Sequence, residues 1–112
     1  MSAPHTLDEA VEWLRKHYQA EPARAVCARY AVELSGSEGG AISMAIEDGE
    51  LNLAKASDPR PDVCLRLAAE DWFGILGGRE NADLLYLAGR LEIDGDLSLA
   101  MKLRTLFRPA PV

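Results

Sequence analysis

Apolar residues recur along this chain with two periods, and each change of period predicts a change between helix and strand. The first apolar residues follow the spacing of one helical face: Leu7, Ala10, Val11, Leu14 and Tyr18. Thr6 and Glu9 form a capping box that predicts where this helix begins. Pro22 is expected to prevent its continuation.

From residue 25 the period is two, which predicts β-strands. The inward positions of the first strand are Val26, Ala28, Tyr30, Val32 and Leu34. A second strand carries Ile42, Met44 and Ile46, and a third, after the Asp48-Gly49 turn, carries Leu51 and Leu53. These strands are predicted to form an antiparallel meander. A fourth strand follows the Pro59-Arg60-Pro61 connection with Val63, Leu65 and Leu67 inward.

The last third of the chain predicts three helices and one strand. One helix covers residues 70–76 and ends at Gly77-Gly78, and Asn81 begins another that ends at Gly89. Leu91 and Ile93 mark a fifth strand, and Asp96 caps a last helix that runs to about Phe107. This order predicts a single α+β domain over residues 1–112, with a five-stranded, mostly antiparallel sheet covered by helices.

Charge and composition exclude several classes of protein. The 112 residues carry a net charge of −6, and a protein that binds a nucleic-acid duplex needs a basic surface instead. No apolar run approaches the roughly 18 residues of a membrane span. The first residues lack the basic and apolar regions of a signal peptide, so we expect a cytoplasmic protein with Cys27 and Cys64 reduced.

Residues capable of catalysis or metal binding are scattered. His5 and His17 are distant in sequence from either cysteine, and no CxxC motif is present. Glu38 in the Gly-rich loop 36–40 would repel a phosphate. Glu92, Asp94 and Asp96 could form an acid pair or a divalent-ion site, but a turn at Asp94-Gly95 and a helix cap at Asp96 explain them without chemistry. We expect no metal, no cofactor and no enzyme.

The last helix has more apolar surface than one contact requires. One stripe contains Leu99, Ala100, Leu103, Leu106 and Phe107, and a second, offset stripe contains Leu97 and Met101. The first is sufficient to seat the helix on a sheet. The second could contact another helix, a second subunit, a membrane interface or a buried ligand, or the whole set could be core.

Residues 87–103 resemble the signature of the sterol carrier protein 2 family. They contain a Gly-basic pair, an alternating strand, Gly-Asp and a helix that includes Leu99-Ala100-Met101-Lys102-Leu103. Similarity extends over residues 25–107, including Glu70-Asp71-Trp72 and Gly77-Gly78-Arg79. The chain departs from the family at Ala68 and Ala69, where a hydroxyl cap is usual, and at Glu80, where an apolar residue is usual. Its final residues, 108–112, lack a Ser-Lys-Leu-like tail, which points to a bacterial stand-alone member.

The resemblance implies a hydrophobic tunnel that holds lipids without catalysis. The ligand would be sterol-like, a fatty acyl group, a phospholipid or an isoprenoid-quinone precursor, with transient membrane contact. The residues expected to bind lipid are Ile42, Met44, Ile46, Trp72, Leu76, Leu84, Leu87, Leu99, Leu103 and Phe107. Leu97 and Met101 would lie at the mouth or on a partner surface, and the last helix would move to release the ligand. The alternative is an interaction module with a solid core, which forms a homodimer through that helix.

Overall fold

The computed structural model describes residue 4 and residues 6–24, 26–37 and 39–107. His5, Glu38 and residues 108–112 lie outside this part of the chain. Within it, five helices and five strands follow in this order: α1 (Leu7–His17), α2 (Ala20–Ala23), β1 (Ala28–Ser35), β2 (Gly40–Glu47), β3 (Glu50–Ala54), β4 (Val63–Ala68), α3 (Ala69–Leu76), α4 (Ala82–Leu87), β5 (Glu92–Gly95) and α5 (Leu97–Leu106).

The strands form one open sheet in the order β3-β2-β1-β4-β5. β1, β2 and β3 form the predicted antiparallel meander. β4 then crosses over and pairs with β1 in parallel, with Val32 beside Leu65, and β5 pairs antiparallel with β4. The sheet is therefore mixed but mostly antiparallel, and the predicted α+β fold class is confirmed.

One face of the sheet is buried and the other is polar. The inward side chains of β1, β2 and β4, which include Tyr30, Met44 and Leu65, are buried in the core with residues from α1, α3 and α5. On the opposite face, Arg66 Nε donates to Glu33 Oε1 at 2.9 Å, and its Nη1 lies 3.5 Å from Asp94 Oδ2. The helices therefore cover one side of the sheet, and any apolar space in the fold must lie there.

Three helices begin where the sequence predicts, but α1 ends earlier than its apolar pattern predicts. Thr6 accepts from Glu9 N, Asn81 from Asp83 N and Asp96 from Ser98 N, as their positions predict. α1 does not continue through Pro22, as expected, but it already stops at His17, and Pro22 lies in the first turn of a separate helix, α2. Proline is tolerated in a first turn, where its missing N–H needs no partner.

The early end of α1 has a long-range cause. Tyr18 leaves the helix to form a backbone bridge with Phe107, and Gln19 N donates to Leu106 O at 2.8 Å. The Tyr18 hydroxyl donates to Gly49 O at 2.8 Å. These contacts attach the C-terminal end of α5 to the segment that follows α1.

Asp94 and Gly95 form the end of β5, not the predicted turn. Gly95 pairs with Val63, and its φ is +117°. A side chain here would place its Cβ 2.4 Å from Asp62 O, so only glycine fits. The change of direction occurs one residue later, at the Asp96 cap.

An ion pair between the buried Asp71 and the exposed Arg90 connects α3 to the loop after α4. Asp71 is buried in α3, and Arg90 Nη2 donates to its Oδ1. The same guanidinium lies 3.5 Å from Glu80 Oε2, so the charge at position 80 is paired within the fold. Gly74 allows this approach, because a Cβ there would lie 2.6 Å from Glu80 Cγ.

Tyr30 connects the centre of the sheet to α5. It is fully buried, and its hydroxyl donates to Leu99 O at 2.8 Å. Burial, with smaller contributions from the charges of Asp96 and Asp62, raises the pKa of Tyr30 to about 12 from its ordinary value of 10.0.

This buried tyrosine predicts a loss of stability in alkali. Below pH 10 the Tyr30 hydroxyl keeps its proton in both the folded and the unfolded protein. Between pH 10 and about pH 12 only the unfolded protein releases this proton, so the free energy of unfolding falls. Tyr30→Phe should cost about 1 kcal/mol at neutral pH, for the lost hydrogen bond, and should flatten this alkaline slope. Urea denaturation over this pH range measures both effects. The exposed Tyr86→Phe is the control, and an unchanged slope in Tyr30→Phe would contradict the assignment.

Candidate functional site

An apolar cavity of about 270 Å³ lies between the sheet and helices α3, α4 and α5. Asp83 is the charged residue among those that line it. The complete lining is Leu14, Met44, Leu65, Trp72, Ile75, Leu76, Ala82, Asp83, Tyr86, Leu91, Ile93, Leu97, Ala100, Met101, Leu103 and Phe107. A space bounded this way favours hydrocarbon and offers little to a polar solute.

Helical periodicity determines which side chains reach the cavity. Trp72, Ile75 and Leu76 share one face of α3, since residues three and four apart lie on the same side of a helix. The same spacing brings Leu97, Ala100 and Met101 of α5 together on the opposite wall. The inward residues Met44, Leu65 and Ile93 supply the part of the wall that the sheet forms. The side chains that line the cavity therefore belong to the same helical and strand patterns that form the core.

Seven of the predicted site residues line this cavity. Met44, Trp72, Leu76, Leu103 and Phe107 belong to the predicted lipid-binding set, and Leu97 and Met101 were expected at a mouth or partner surface. Leu97 and Met101 are also exposed, at 47% and 61%, so they lie where the cavity meets solvent. Tyr86 on α4 likewise lines the cavity and is exposed to solvent.

The other five predicted residues lie outside the lining. Ile42 and Ile46 are buried in the core, and Leu99 is half-buried with its carbonyl bound to Tyr30. Leu84 and Leu87 are exposed, at 65% and 79%. At 3.6 residues per turn, the face of α4 that presents Ala82, Asp83 and Tyr86 to the cavity leaves Leu84 on the opposite side of the helix and Leu87 at the flank.

Nine lining residues were not among the predicted site residues. Leu14, Leu65, Ile75, Leu91 and Ile93 lie in predicted apolar patterns, so the sequence indicated their burial but not that they border empty space. Ala100 lies in the predicted apolar stripe of the last helix, whereas Ala82, Asp83 and Tyr86 gave no such signal. Alanine and aspartate are compatible with many surroundings, and α4 is too short for its apolar residues to define one face.

Trp72 carries the one buried side-chain nitrogen or oxygen that lacks a hydrogen-bond partner in the described part of the chain. An unsatisfied buried donor costs about 1–3 kcal/mol. Trp13, the second tryptophan, instead stacks on His17 with ring centroids 4.1 Å apart and does not line the cavity. The two indoles therefore sample different surroundings.

The acidic residues considered for chemistry have structural partners. Asp96 caps α5, and hydrogen bonds from Ser98 and Leu99 lower the pKa of its carboxyl. Asp94 pairs with Arg66, and Glu92 lies opposite Arg66 in the sheet. None of these three carboxylates lines the cavity.

The cysteines and His17 do not form a metal site within the described residues. Cys27 is exposed and Cys64 buried, and both are unpaired. Burial, followed by the charge of Glu33, raises the pKa of Cys64 and so disfavours its thiolate. His17 Nδ1 contacts Trp13 O at 2.8 Å. The described residues contain no group of three or more metal-ligating side chains, and no described helix could cross a membrane.

Comparisons with known proteins agree on one family. The model of the SCP-2 sterol transfer family matches residues 9–108. Hydroxysteroid dehydrogenase-like protein 2 of Rattus norvegicus is 31% identical over 107 residues, which cover 92% of this chain and 20% of that protein. This chain thus corresponds to about a fifth of the length of that relative.

Two solved structures show the same fold at low identity. The inverting sec-alkylsulfatase Pisa1 from Pseudomonas sp. has a TM-score of 0.78 at 17% identity, over 96% of this chain and 17% of that one. Palmitated SCP2L2 from Aedes aegypti has a TM-score of 0.61 at 22% identity, over 83% of this chain and 89% of that one. The family match identifies the chain as a small lipid-binding domain, and the solved structures share its fold. The chain belongs to the SCP-2 sterol transfer family.

The positions of the two tryptophans predict how each responds to a ligand. A brominated fatty acid, whose bromine quenches indoles at contact, should quench Trp72 strongly in a Trp13→Phe variant. In a Trp72→Phe variant, which retains Trp13, quenching should be weak because Trp13 does not line the cavity. Equal quenching of both indoles in a fluorescence titration would show that the ligand binds elsewhere.

Proposed function

We propose that this domain binds and carries hydrophobic ligands in the cavity between α3, α4, α5 and the sheet, without catalysing a reaction. The observation that carries the proposal is the lining, in which apolar side chains from helices and strands surround about 270 Å³ of space. Burying alkyl surface there would supply about 25 cal/mol per Å². With few polar contacts, selectivity among chains would be broad.

The size of the cavity favours ligands with extended, flexible chains over ligands with rigid rings. Its 270 Å³ is slightly below the roughly 300–1,000 Å³ of most small-molecule sites. A fatty acyl or isoprenoid chain can place part of its length inside and leave the remainder at the mouth, whereas a sterol nucleus cannot bend to do so. The structural relative from Aedes aegypti, palmitated SCP2L2, also supports a ligand with an extended chain.

We propose that α4, rather than α5, moves when a ligand enters or leaves. α5 is held at Leu99 by Tyr30 and at Leu106 by Gln19, each at 2.8 Å. α4 buries only Leu85 among its residues, and glycines of positive φ, Gly78 and Gly89, flank it in open space. Such hinges can absorb a change of direction at low cost. This differs from the expectation that the last helix moves.

The alternative function, an interaction module with a solid core, fits the structure less well. The cavity is inconsistent with a solid core, although the exposed Leu97 and Met101 could also contact a second copy. Both residues border the cavity, so a ligand gives them a role without a partner protein.

Filling the cavity tests the proposal directly. Ala100→Leu places a larger apolar side chain into the α5 wall and should lower the affinity for a fluorescent fatty acid about tenfold or more. The free energy of unfolding should change by no more than about 1 kcal/mol, since empty space receives the new atoms.

Ala54→Leu is the matched control, because it adds the same atoms at an exposed position at the end of β3. It should bind the fatty acid as the parent protein does. If Ala100→Leu folds normally and binds with unchanged affinity, the ligand does not occupy this cavity.

A further inference from the structure

The polar side chains that line the cavity are few, and they differ in burial. Trp72, Asp83 and Tyr86 are the lining residues whose side chains carry nitrogen or oxygen. Asp83 and Tyr86 are exposed on α4, whereas Trp72 in α3 is only 6% exposed. The thioethers of Met44 and Met101 also line the cavity, but sulfur of this kind accepts hydrogen bonds only weakly. The buried part of the described lining therefore offers one strong donor and no strong side-chain acceptor.

The indole N–H of Trp72 has no hydrogen-bond partner within the described residues. Other buried polar groups of this fold are paired: Tyr30 donates to Leu99 O, and Asp71 accepts from Arg90. Folded proteins leave few buried donors unpaired, because water can no longer bind them. A ligand oxygen that accepts a hydrogen bond from Trp72 would therefore relieve a cost that the protein carries without it.

The position of Trp72 allows a ligand to supply this partner. Its side chain borders the cavity, on the face of α3 that it shares with Ile75 and Leu76. The torsion that turns an aromatic ring has a broad energy well, so a small rotation of the indole can direct its N–H toward an atom in the cavity. This rotation requires no movement of the α3 backbone.

We propose that Trp72 Nε1 donates a hydrogen bond to a neutral carbonyl or ether oxygen within the chain of the ligand. The oxygen would lie inside the cavity, since Trp72 is buried while Leu97 and Met101 at the mouth are exposed. An oxygen that only accepts matches this site best, because a hydroxyl would also bring a donor that lacks a strong side-chain acceptor there. This inference rests on the proposed lipid-carrier function and adds a chemical preference to it.

Octadecanoic acids that carry an oxo group at different chain positions test the preference. Plain octadecanoic acid and the corresponding hydroxy acids are the comparison ligands, and all share the same carboxyl end. In competition with a fluorescent fatty acid, at least one oxo isomer should bind about fivefold more tightly than the plain acid, as expected for one added hydrogen bond. The hydroxy acid with oxygen at the same position should bind less tightly than that oxo isomer.

Trp72→Phe keeps an aromatic ring and removes the N–H, so it should abolish the preference. The ratio of the two affinities, oxo isomer to plain acid, should fall to about one. Comparing ratios removes any effect of the substitution that is common to both ligands. Trp13→Phe is the matched control, because Trp13 does not line the cavity, and it should keep the ratio of the parent protein.

The parent protein also provides a measurement that needs no variant. In a proton–nitrogen correlation NMR spectrum, the indole proton of Trp72 should move downfield with the preferred oxo acid more than with the plain acid, whereas that of Trp13 should respond to neither. Oxo acids that bind no more tightly than the plain acid, a Trp72 signal that responds equally to both, or a Trp72→Phe variant that keeps the parent ratio would each overturn the proposal. If none of these acids binds, the lipid-carrier function itself fails.

Discussion

The hydrogen bond between the Tyr30 hydroxyl and the Leu99 carbonyl fixes α5 relative to the sheet, and the cavity depends on that position. Tyr30 projects from the central strand β1, between Met44 of β2 and Val63 of β4, and is fully buried. A hydroxyl in such surroundings must find a partner, because an unpaired one would cost more than the bond contributes. With its C-terminal end also held through Gln19 and Leu106, α5 forms a fixed wall whose apolar residues face the space below.

The same architecture divides the apolar residues into three groups with different surroundings. Residues such as Ile42 and Ile46 fill the core, residues such as Leu76 and Leu103 border the cavity, and Leu84 and Leu87 face outward. α5 is held at both ends, whereas α4 buries only Leu85, and we propose that the cavity opens at α4. The proposed function of the cavity follows from this division.

Much of the fold could be predicted because its local signals agree with its tertiary contacts. Alternation along β1, β2 and β4 predicted their inward faces, and the Thr6, Asn81 and Asp96 caps predicted three helix starts. Two local predictions differ from the structure because contacts with distant residues determine the backbone there. Tyr18 leaves α1 to pair with Phe107, and Gly95 extends β5 against Val63. Neither contact leaves a trace in the nearby sequence.

The cavity itself was harder to predict, since burial and cavity lining have the same sequence signature. An inward leucine on a strand is apolar whether it contacts another side chain or empty space, so Ile42 and Leu65 could not be told apart. Leu84 and Leu87 could not be assigned to a face because α4 has only 6 residues. Family resemblance supplied the expectation of a cavity, and the three-dimensional packing identified most of its walls.

Mass spectrometry of the protein as purified tests the central claim most directly. Under native conditions, the account predicts bound species whose added mass, after extraction, corresponds to lipids with extended acyl or isoprenoid chains. The Ala100→Leu variant should retain less of them than the Ala54→Leu variant. A parent protein that is empty, and that remains empty after incubation with long-chain fatty acids, would contradict the account.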